Sequence, residues 1–321
     1  MAQNETLERY EICRQVGCGG EGQVFLVMDR HLNRMAAMKY IQTSQCRFWN
    51  EVRLLRQLPA GVFPVIYDAW YSDQRGVLVM EYIEGITGKE YLQHYGTVPV
   101  NILWKWGCVL AETLREMHGR NPQLFYRDLK PENIMIQEGD KIRMIDTGSV
   151  ADPETIRHEK NIRTGTGGFS APEQWAGEKI DAGADIYSLG TVLYYLLTGK
   201  MTAGEVRCGA GGIVPPGMKE ILIKCMQSDR KNRYPSMEAF LKDWKSWNRI
   251  GKRKKAAEIM FRGIQHAALA VAAFLTWVHP EKTILWGAAL FWYLAAAFYK
   301  HREEKKESWW IQEKTVWFRN G

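Results

Sequence analysis

Tyr126-Arg127-Asp128-Leu129-Lys130-Pro131-Glu132-Asn133 is the stretch on which the reading of this chain turns. An Asp in such a loop orients a hydroxyl and accepts its proton. A Lys two positions on neutralises charge on a transferred phosphoryl group, and an Asn three positions further supplies an oxygen to a divalent metal. No packing requirement asks for those residue types together in one short loop. The loop therefore points to phosphoryl transfer, with Asp128 and Lys130 at the chemistry and Asn133 as a metal ligand.

Working outward, Gly17-Cys18-Gly19-Gly20-Glu21-Gly22-Gln23-Val24 fits G-x-G-x-x-G-x-V, with Gly17, Cys18, Gly19, Gly20, Gly22 and Val24 as the nucleotide-facing positions. Glycines are needed where backbone amides approach phosphate oxygens more closely than a Cβ allows. The same glycine spacing occurs before a helix in dinucleotide-binding folds. Here Ile12 to Val16 and Val24 to Met28 read as two strands, so the glycines form a hairpin turn. Ala36-Ala37-Met38-Lys39 reads as a third strand that presents one cation to the α- and β-phosphates.

Cys46 to Leu58 reads as a helix, because Phe48, Val52 and Leu55 form an i, i+4, i+7 stripe. Glu51 lies on the flank of that stripe, where it either pairs with Lys39 or faces solvent. Leu78 to Tyr82 is an apolar strand that runs into a polar turn, with the backbone of Glu81 and Tyr82 available to an adenine edge. Lys141 to Ile145 reads as a strand ending in Asp146-Thr147-Gly148, and an Asp placed there suits a metal bridging phosphates.

With Thr164-Gly165-Thr166-Gly167-Gly168-Phe169-Ser170-Ala171-Pro172-Glu173, Asp185 and Arg233 added, the chain resembles a eukaryotic-like (Hanks-type) serine/threonine protein kinase over roughly residues 8–248. It is most similar to the bacterial membrane-anchored branch. The resemblance implies an α+β, bilobal protein-kinase fold, with a β-rich lobe to about Tyr82 and a helical lobe to about Asn248. It implies ATP anchored by Lys39 and Glu51, catalysis by Asp128 and Lys130, and Mg²⁺ or Mn²⁺ on Asn133 and Asp146. Thr166 would contact Asp128 and Lys130 in the substrate loop, Glu173 would pair with Arg233, and Asp185 would hold the catalytic-loop backbone. The implied partners are protein substrates bearing Ser or Thr, and a second copy of the chain for autophosphorylation in trans. Thr155 and Thr164 are the candidate phosphosites, with Arg127 as the residue that grips the phosphate.

Two departures from the family pattern stand out. Asp-Thr-Gly replaces Asp-Phe-Gly, so Thr147 leaves the apolar slot of the Phe unfilled, and Tyr126 replaces the usual His with a larger ring. Thr147 is the ground for a second reading, a pseudokinase that binds nucleotide and works as a scaffold. A kinase for small molecules is a third reading, disfavoured by Thr166 and the Ala171-Pro172-Glu173 segment.

Composition bounds the rest. With 46% hydrophobic residues, 321 positions accommodate one domain of this size plus an additional segment. Cys13, Cys18, Cys46, Cys108, Cys208 and Cys225 form no metal-binding or redox pair, as expected of reduced, mostly buried thiols in a cytoplasmic protein. Met1 to Tyr10 is polar and does not look like a signal peptide.

The net charge of +7 suggests nucleic-acid binding until it is located. Residues 249–321 hold 13 Lys/Arg and 6 Glu, which leaves residues 1–248 neutral, with 30 charges of each sign. The basic residues flank two apolar stretches, Gly263 to Val278 and Ile284 to Tyr299, separated by His279-Pro280-Glu281-Lys282-Thr283. The expectation is a basic juxtamembrane linker over 249–262 and a two-span transmembrane hairpin over 263–299. Residues 300–321 form a basic, aromatic tail with Trp309, Trp310, Trp317 and Phe318. Each stretch is shorter than the roughly 17–25 residues usual for a span, and a buried helical pair is the alternative. Positive flanks place both ends in the cytoplasm, making the protein a multi-pass protein of the cell membrane with the lipid bilayer as a partner and no nucleic acid bound.

Overall fold

Alternation of apolar and polar side chains builds the first lobe. The computed structural model describes residues 9–19, 22–158, 167–200, 214–215, 217–278, 287–288 and 291. Strands β1 (Tyr10–Gly19), β2 (Gly22–Asp29) and β3 (Arg34–Ile41) follow one another as an antiparallel meander. Helix α1 (Gln45–Leu55) comes next, then β4 (Ile66–Ser72) and β5 (Arg75–Glu81), which complete a five-stranded sheet in the order β1-β2-β3-β5-β4. Met38, Val77 and Val79 pack on one face of this sheet, whereas Ile41 and Leu78 pack on the other with Phe48, Val52 and Leu55 of α1. The period of two therefore turns Lys39, which lies between Met38 and Ile41, toward the face that α1 covers.

The expected stripe of α1 is buried throughout: Phe48, Val52 and Leu55 all face inward, joined by Leu54. The helix is shorter than the span read from the sequence. Arg56 is its C-cap, and the Gln57 and Leu58 amides bond three residues back, so the last turn tightens. Ser44 starts the helix by accepting a hydrogen bond from the Arg47 amide. Gly76 on β5 is the position where α1 comes closest to the sheet, because a Cβ there would collide with the ring of buried Phe48.

The second lobe opens with β6 (Ile86–Thr87), α2 (Gly88–Tyr95) and α3 (Val100–His118). Leu103, Trp106, Leu110, Leu114 and Met117 of α3 form the centre of its core. The antiparallel hairpin of β7 (Ile134–Gln137) and β8 (Lys141–Met144) pairs with β6. Then follow α4 (Pro153–His158), α5 (Pro172–Ala176), α6 (Ala182–Thr198), α7 (Met218–Cys225) and α8 (Met237–Val278). α6 is buried on nearly every side. Trp104 and Trp244 lock α3 to the start of α8, each indole N–H donating to the other residue's carbonyl at 3.2 and 3.0 Å. The bilobal architecture is the expected one.

The chain divides into two compact units, Met1–Asn248 and Arg249–Gly321. Within the second, Ile264, Leu269, Val271, Phe274 and Trp277 are exposed. The expected transmembrane hairpin is not found: among the described residues no helix is long and apolar enough to cross a membrane. Gln265 and His266 interrupt the N-terminal side of the first apolar stretch, and Arg262 directly precedes it. The second stretch, apart from residues 287, 288 and 291, lies outside the described residues, as does the tail 300–321. The expectation of mostly buried thiols is also corrected, since Cys13 and Cys46 are exposed and Cys225 is buried. Cys208 lies outside the described residues.

Candidate active site

Antiparallel pairing of β7 with β8 creates the site. Ile134 opposes Met144 in the register, and the Ile145 amide donates to the Asn133 carbonyl at 2.9 Å. The end of the loop quoted at the outset is thus set beside the residue that precedes Asp146. At the head of that loop, Asp128 accepts from Lys130 Nζ at 2.6 Å and from Asn133 Nδ2 at 3.1 Å, both on Oδ2. Asn133 Nδ2 also donates to the Asp128 carbonyl at 2.9 Å, which fixes the amide and leaves its oxygen as the acceptor it presents. Asp128 and Asn133 are both buried.

The loop is held from below. Asp185 on α6, wholly buried, accepts from the Tyr126 and Arg127 amides at 3.0 and 2.8 Å, and His118 Nε2 lies 2.8 Å from it. Arg127 and Asp146 have positive φ, 68° and 55°, so the backbone turns sharply at both segments. Glu173 and Arg233 form the expected pair as a two-pronged bridge, Nη1 to Oε1 at 2.6 Å and Nη2 to Oε2 at 2.9 Å. Burial raises the Glu173 carboxyl, but the Arg233 donors outweigh it and hold the group below the usual carboxylate range.

From the first lobe, Lys39 Nζ donates to Asp146 Oδ1 at 3.0 Å. Lys39, Gly22 and Glu51 line one cavity of about 360 Å³, together with Arg127 and Thr155. The glycine hairpin pairs Gly17 with Val24, Cys18 with Gln23 and Gly19 with Gly22, as a strand-turn-strand. Gly22 has φ +138°, and a Cβ on it would collide with the Tyr40 carbonyl, so only glycine fits. Gly20 and Glu21 lie outside the described residues, as do Thr164 and Thr166.

At the lobe connection, Glu81 turns its side chain to Arg143 of β8, which donates Nη1 to Oε1 at 3.1 Å and Nη2 to Oε2 at 2.6 Å. Arg143 also reaches the Val62 and Phe63 carbonyls. Burial raises the Glu81 carboxyl, yet Arg143 and the Val65 amide bring it below the usual range. Tyr82 follows at the polar turn. Thr147 is buried, and Tyr126, fully buried, packs its ring against Phe63 at 5.9 Å.

Three contacts escaped the sequence reading. Arg143 with Glu81 is one, His118 with Asp185 another, and the third joins Asn50 and Arg53 of α1 to Asp152 and Thr155. None of them has a local spacing that would reveal it.

The protein kinase domain family matches residues 10–245. The chain belongs to that family. It is similar to a probable serine/threonine-protein kinase of Clostridium perfringens, 28% identical over 260 residues, covering 73% of this chain and 38% of the relative. The serine/threonine-protein kinase PrkC of Bacillus subtilis is 29% identical over 269 residues, covering 74% of this chain and 40% of PrkC. PknB of Mycolicibacterium smegmatis is 29% identical over 207 residues, with 60% and 33% covered. The chain thus matches only about two fifths or less of the length of these curated relatives.

Proposed function

We propose that the protein is an ATP-dependent serine/threonine protein kinase. The observation that carries this reading is the convergence of Lys130 and Asn133 on one carboxylate oxygen of Asp128, both within 3.1 Å, at the end of the β7–β8 hairpin that also leads to Asp146, which accepts from Lys39. A substrate Ser or Thr hydroxyl attacks the γ-phosphorus of ATP. Its proton passes to Asp128, the bond to the β-phosphate oxygen breaks, and ADP leaves. Lys130 neutralises charge on the transferred group. Lys39, with Glu51, positions the α- and β-phosphates under the glycine hairpin, and the Glu81 and Tyr82 backbone receives the adenine edge.

The donor set suits a hard divalent cation. Among the described residues no cluster of three His, Cys, Asp or Glu side chains forms a protein-only metal cage. Asp146 and Asn133 offer one carboxylate and one amide oxygen, and Mg²⁺ is commonly held by few protein oxygens together with phosphate oxygens. Mg²⁺ or Mn²⁺ bound there would neutralise phosphate charge. Thr166 is assigned to the substrate loop, and Thr155 or Thr164 to autophosphorylation by a second copy of the chain.

The test is transfer of label from γ-labelled ATP to a generic basic protein. Asp128→Asn should lower transfer by about 10²–10⁴-fold, the usual contribution of a positioned base. Label that stays on ATP in the wild-type protein, although nucleotide binds, would favour the scaffold reading.

We infer further that residues 249–321 attach the protein to the cell membrane, with the apolar stretches over 263–299 as a two-span hairpin and both flanks cytoplasmic. The exposed Ile264, Leu269, Val271, Phe274 and Trp277 and the basic run 252–255 support attachment. High salt strips proteins held by surface charge alone. The full chain should stay with membranes in high salt, and a cysteine placed in the 279–283 turn should react with an impermeant thiol reagent in intact cells.

A further inference from the structure

Helix α1 has an apolar face on the sheet, and apolar contact alone fixes neither its rotation nor its slide. Its other side carries a polar arrangement that does. Arg53 Nη2 donates to Asp152 Oδ2 at 2.9 Å and to Asn50 Oδ1 at 2.8 Å, with Arg53 Nε adding a second bond to Asn50 Oδ1 at 3.2 Å. Asn50 Nδ2 donates to Thr155 Oγ1 at 3.2 Å, and Thr155 Oγ1 donates to Asp152 Oδ1 at 2.7 Å. The four side chains close a ring in which each donor meets an acceptor.

The ring is anchored at both ends. Asp152 is 2% exposed and also accepts from the Thr155 amide at 2.8 Å, which caps the start of α4. Burial raises its carboxyl, but Thr155 and Arg53 outweigh that and keep it ionised to lower pH than usual. On the other side, Asn50 and Arg53 bracket Glu51 on α1. Thr147, next to Asp146, has a side chain too short to serve as an apolar bridge to α1.

We propose that this ring couples α1 to the segment that follows Asp146, making Asn50, Arg53, Asp152 and Thr155 positioning residues for Glu51. The role rests on the kinase reading of the site. A closed polar ring responds to the loss of any member, because the remaining partners are left unsatisfied. The ring thus supplies with hydrogen bonds the connection that a large apolar side chain at position 147 would make by packing.

The test uses the full chain and the variants Thr155→Val, Thr155→Ser and Arg53→Ala. Hydrogen exchange is followed over residues 45–55, and steady-state kinetics are measured with ATP. Thr155→Val deletes two ring bonds, and Arg53→Ala deletes the link to Asp152. Each should speed exchange in α1 more than in the strands of the first lobe and lower kcat/KM for ATP by about tenfold. Thr155→Ser keeps the hydroxyl and should behave as wild type. Unchanged exchange over 45–55 in both Thr155→Val and Arg53→Ala overturns the proposal. So does Thr155→Ser impaired as far as Thr155→Val, since packing of the methyl would then explain the effect. If the wild-type chain transfers no phosphoryl group, the kinase reading fails, and the exchange measurement still decides whether the ring holds α1.

Discussion

Tyr126 donates its phenolic hydroxyl to the main-chain carbonyl of Asp146 at 2.9 Å, and lies 3.2 Å from that of Ile145. The aromatic residue that opens the Tyr126–Asn133 loop thereby holds the backbone on which the expected metal ligand sits. Its ring is fully buried and leans on Phe63, so the hydroxyl has no water to fall back on. Tyr126 is therefore more than a bulkier filler beside Thr147. It acts through a directed polar contact.

Tyr126→Phe keeps the ring and removes only that contact. Leaving a buried carbonyl without its donor costs about 1–3 kcal/mol. We expect a loss of that size in urea unfolding, and lower phosphoryl transfer at saturating ATP because Asp146 loses its support. Unchanged turnover in Tyr126→Phe would show that the backbone at Asp146 is fixed by the β7–β8 hairpin alone.

Gly76→Ala addresses the apolar side of the same problem, the seating of α1. A methyl at position 76 meets the ring of Phe48, which is wholly buried and cannot move outward without shifting the helix. Overpacking of this kind costs about 1–3 kcal/mol. We expect that loss in thermal unfolding together with a reduced kcat/KM, since Glu51 rides on α1. Phe48→Leu in the Gly76→Ala background should recover part of both.

What was legible in the sequence was local. Asp128, Lys130 and Asn133 fall in one loop, and glycine spacing with flanking alternation fixes the β1–β2 hairpin, so residue types at short separations were enough. The Asn50–Thr155 and Arg53–Asp152 contacts span 105 and 99 residues, and nothing at either end marks the partner. Arg143 reads as an ordinary strand cation until β8 is seen to place it against Glu81. The apolar stretch 263–278 is legible in composition alone. Its composition suits a span, whereas among the described residues no helix is long and apolar enough to cross a membrane.

Glu173 and Arg233 yield a pH prediction. The folded Glu173 carboxyl titrates below its ordinary value, because the Arg233 donors outweigh the effect of burial. The unfolded value is about 4.3, so the unfolded chain binds the proton first as pH falls. The stabilisation is therefore full above that value and is lost as pH drops through the lower folded value. Glu173→Gln should cost about 3–5 kcal/mol at neutral pH, as expected for a buried bridge deprived of one charge. The difference from wild type should shrink in acid, and urea titrations at a series of pH values check this. A difference that stays constant down to pH 3 would rule out the ion pair as its source.

Arg143 tests how the lobe connection is set. Its guanidinium donates to both oxygens of Glu81 and to the Phe63 and Val62 carbonyls, so one side chain ties the last strand of the first lobe to the β8 strand that leads to Asp146. Arg143→Met removes all four bonds while filling similar space. The Glu81 backbone is expected to receive adenine, so the loss should fall on nucleotide binding more than on the chemical step. About 1 kcal/mol of lost positioning corresponds to roughly a fivefold rise in the KM for ATP. We expect that rise with kcat nearly unchanged, matched by weaker ADP binding in calorimetry. Arg143→Lys should recover little of it, because an ammonium keeps the charge but cannot reproduce the two-pronged contact. Equal losses in kcat and kcat/KM would instead place the role of Arg143 in holding Asp146, with the adenine edge insensitive to it.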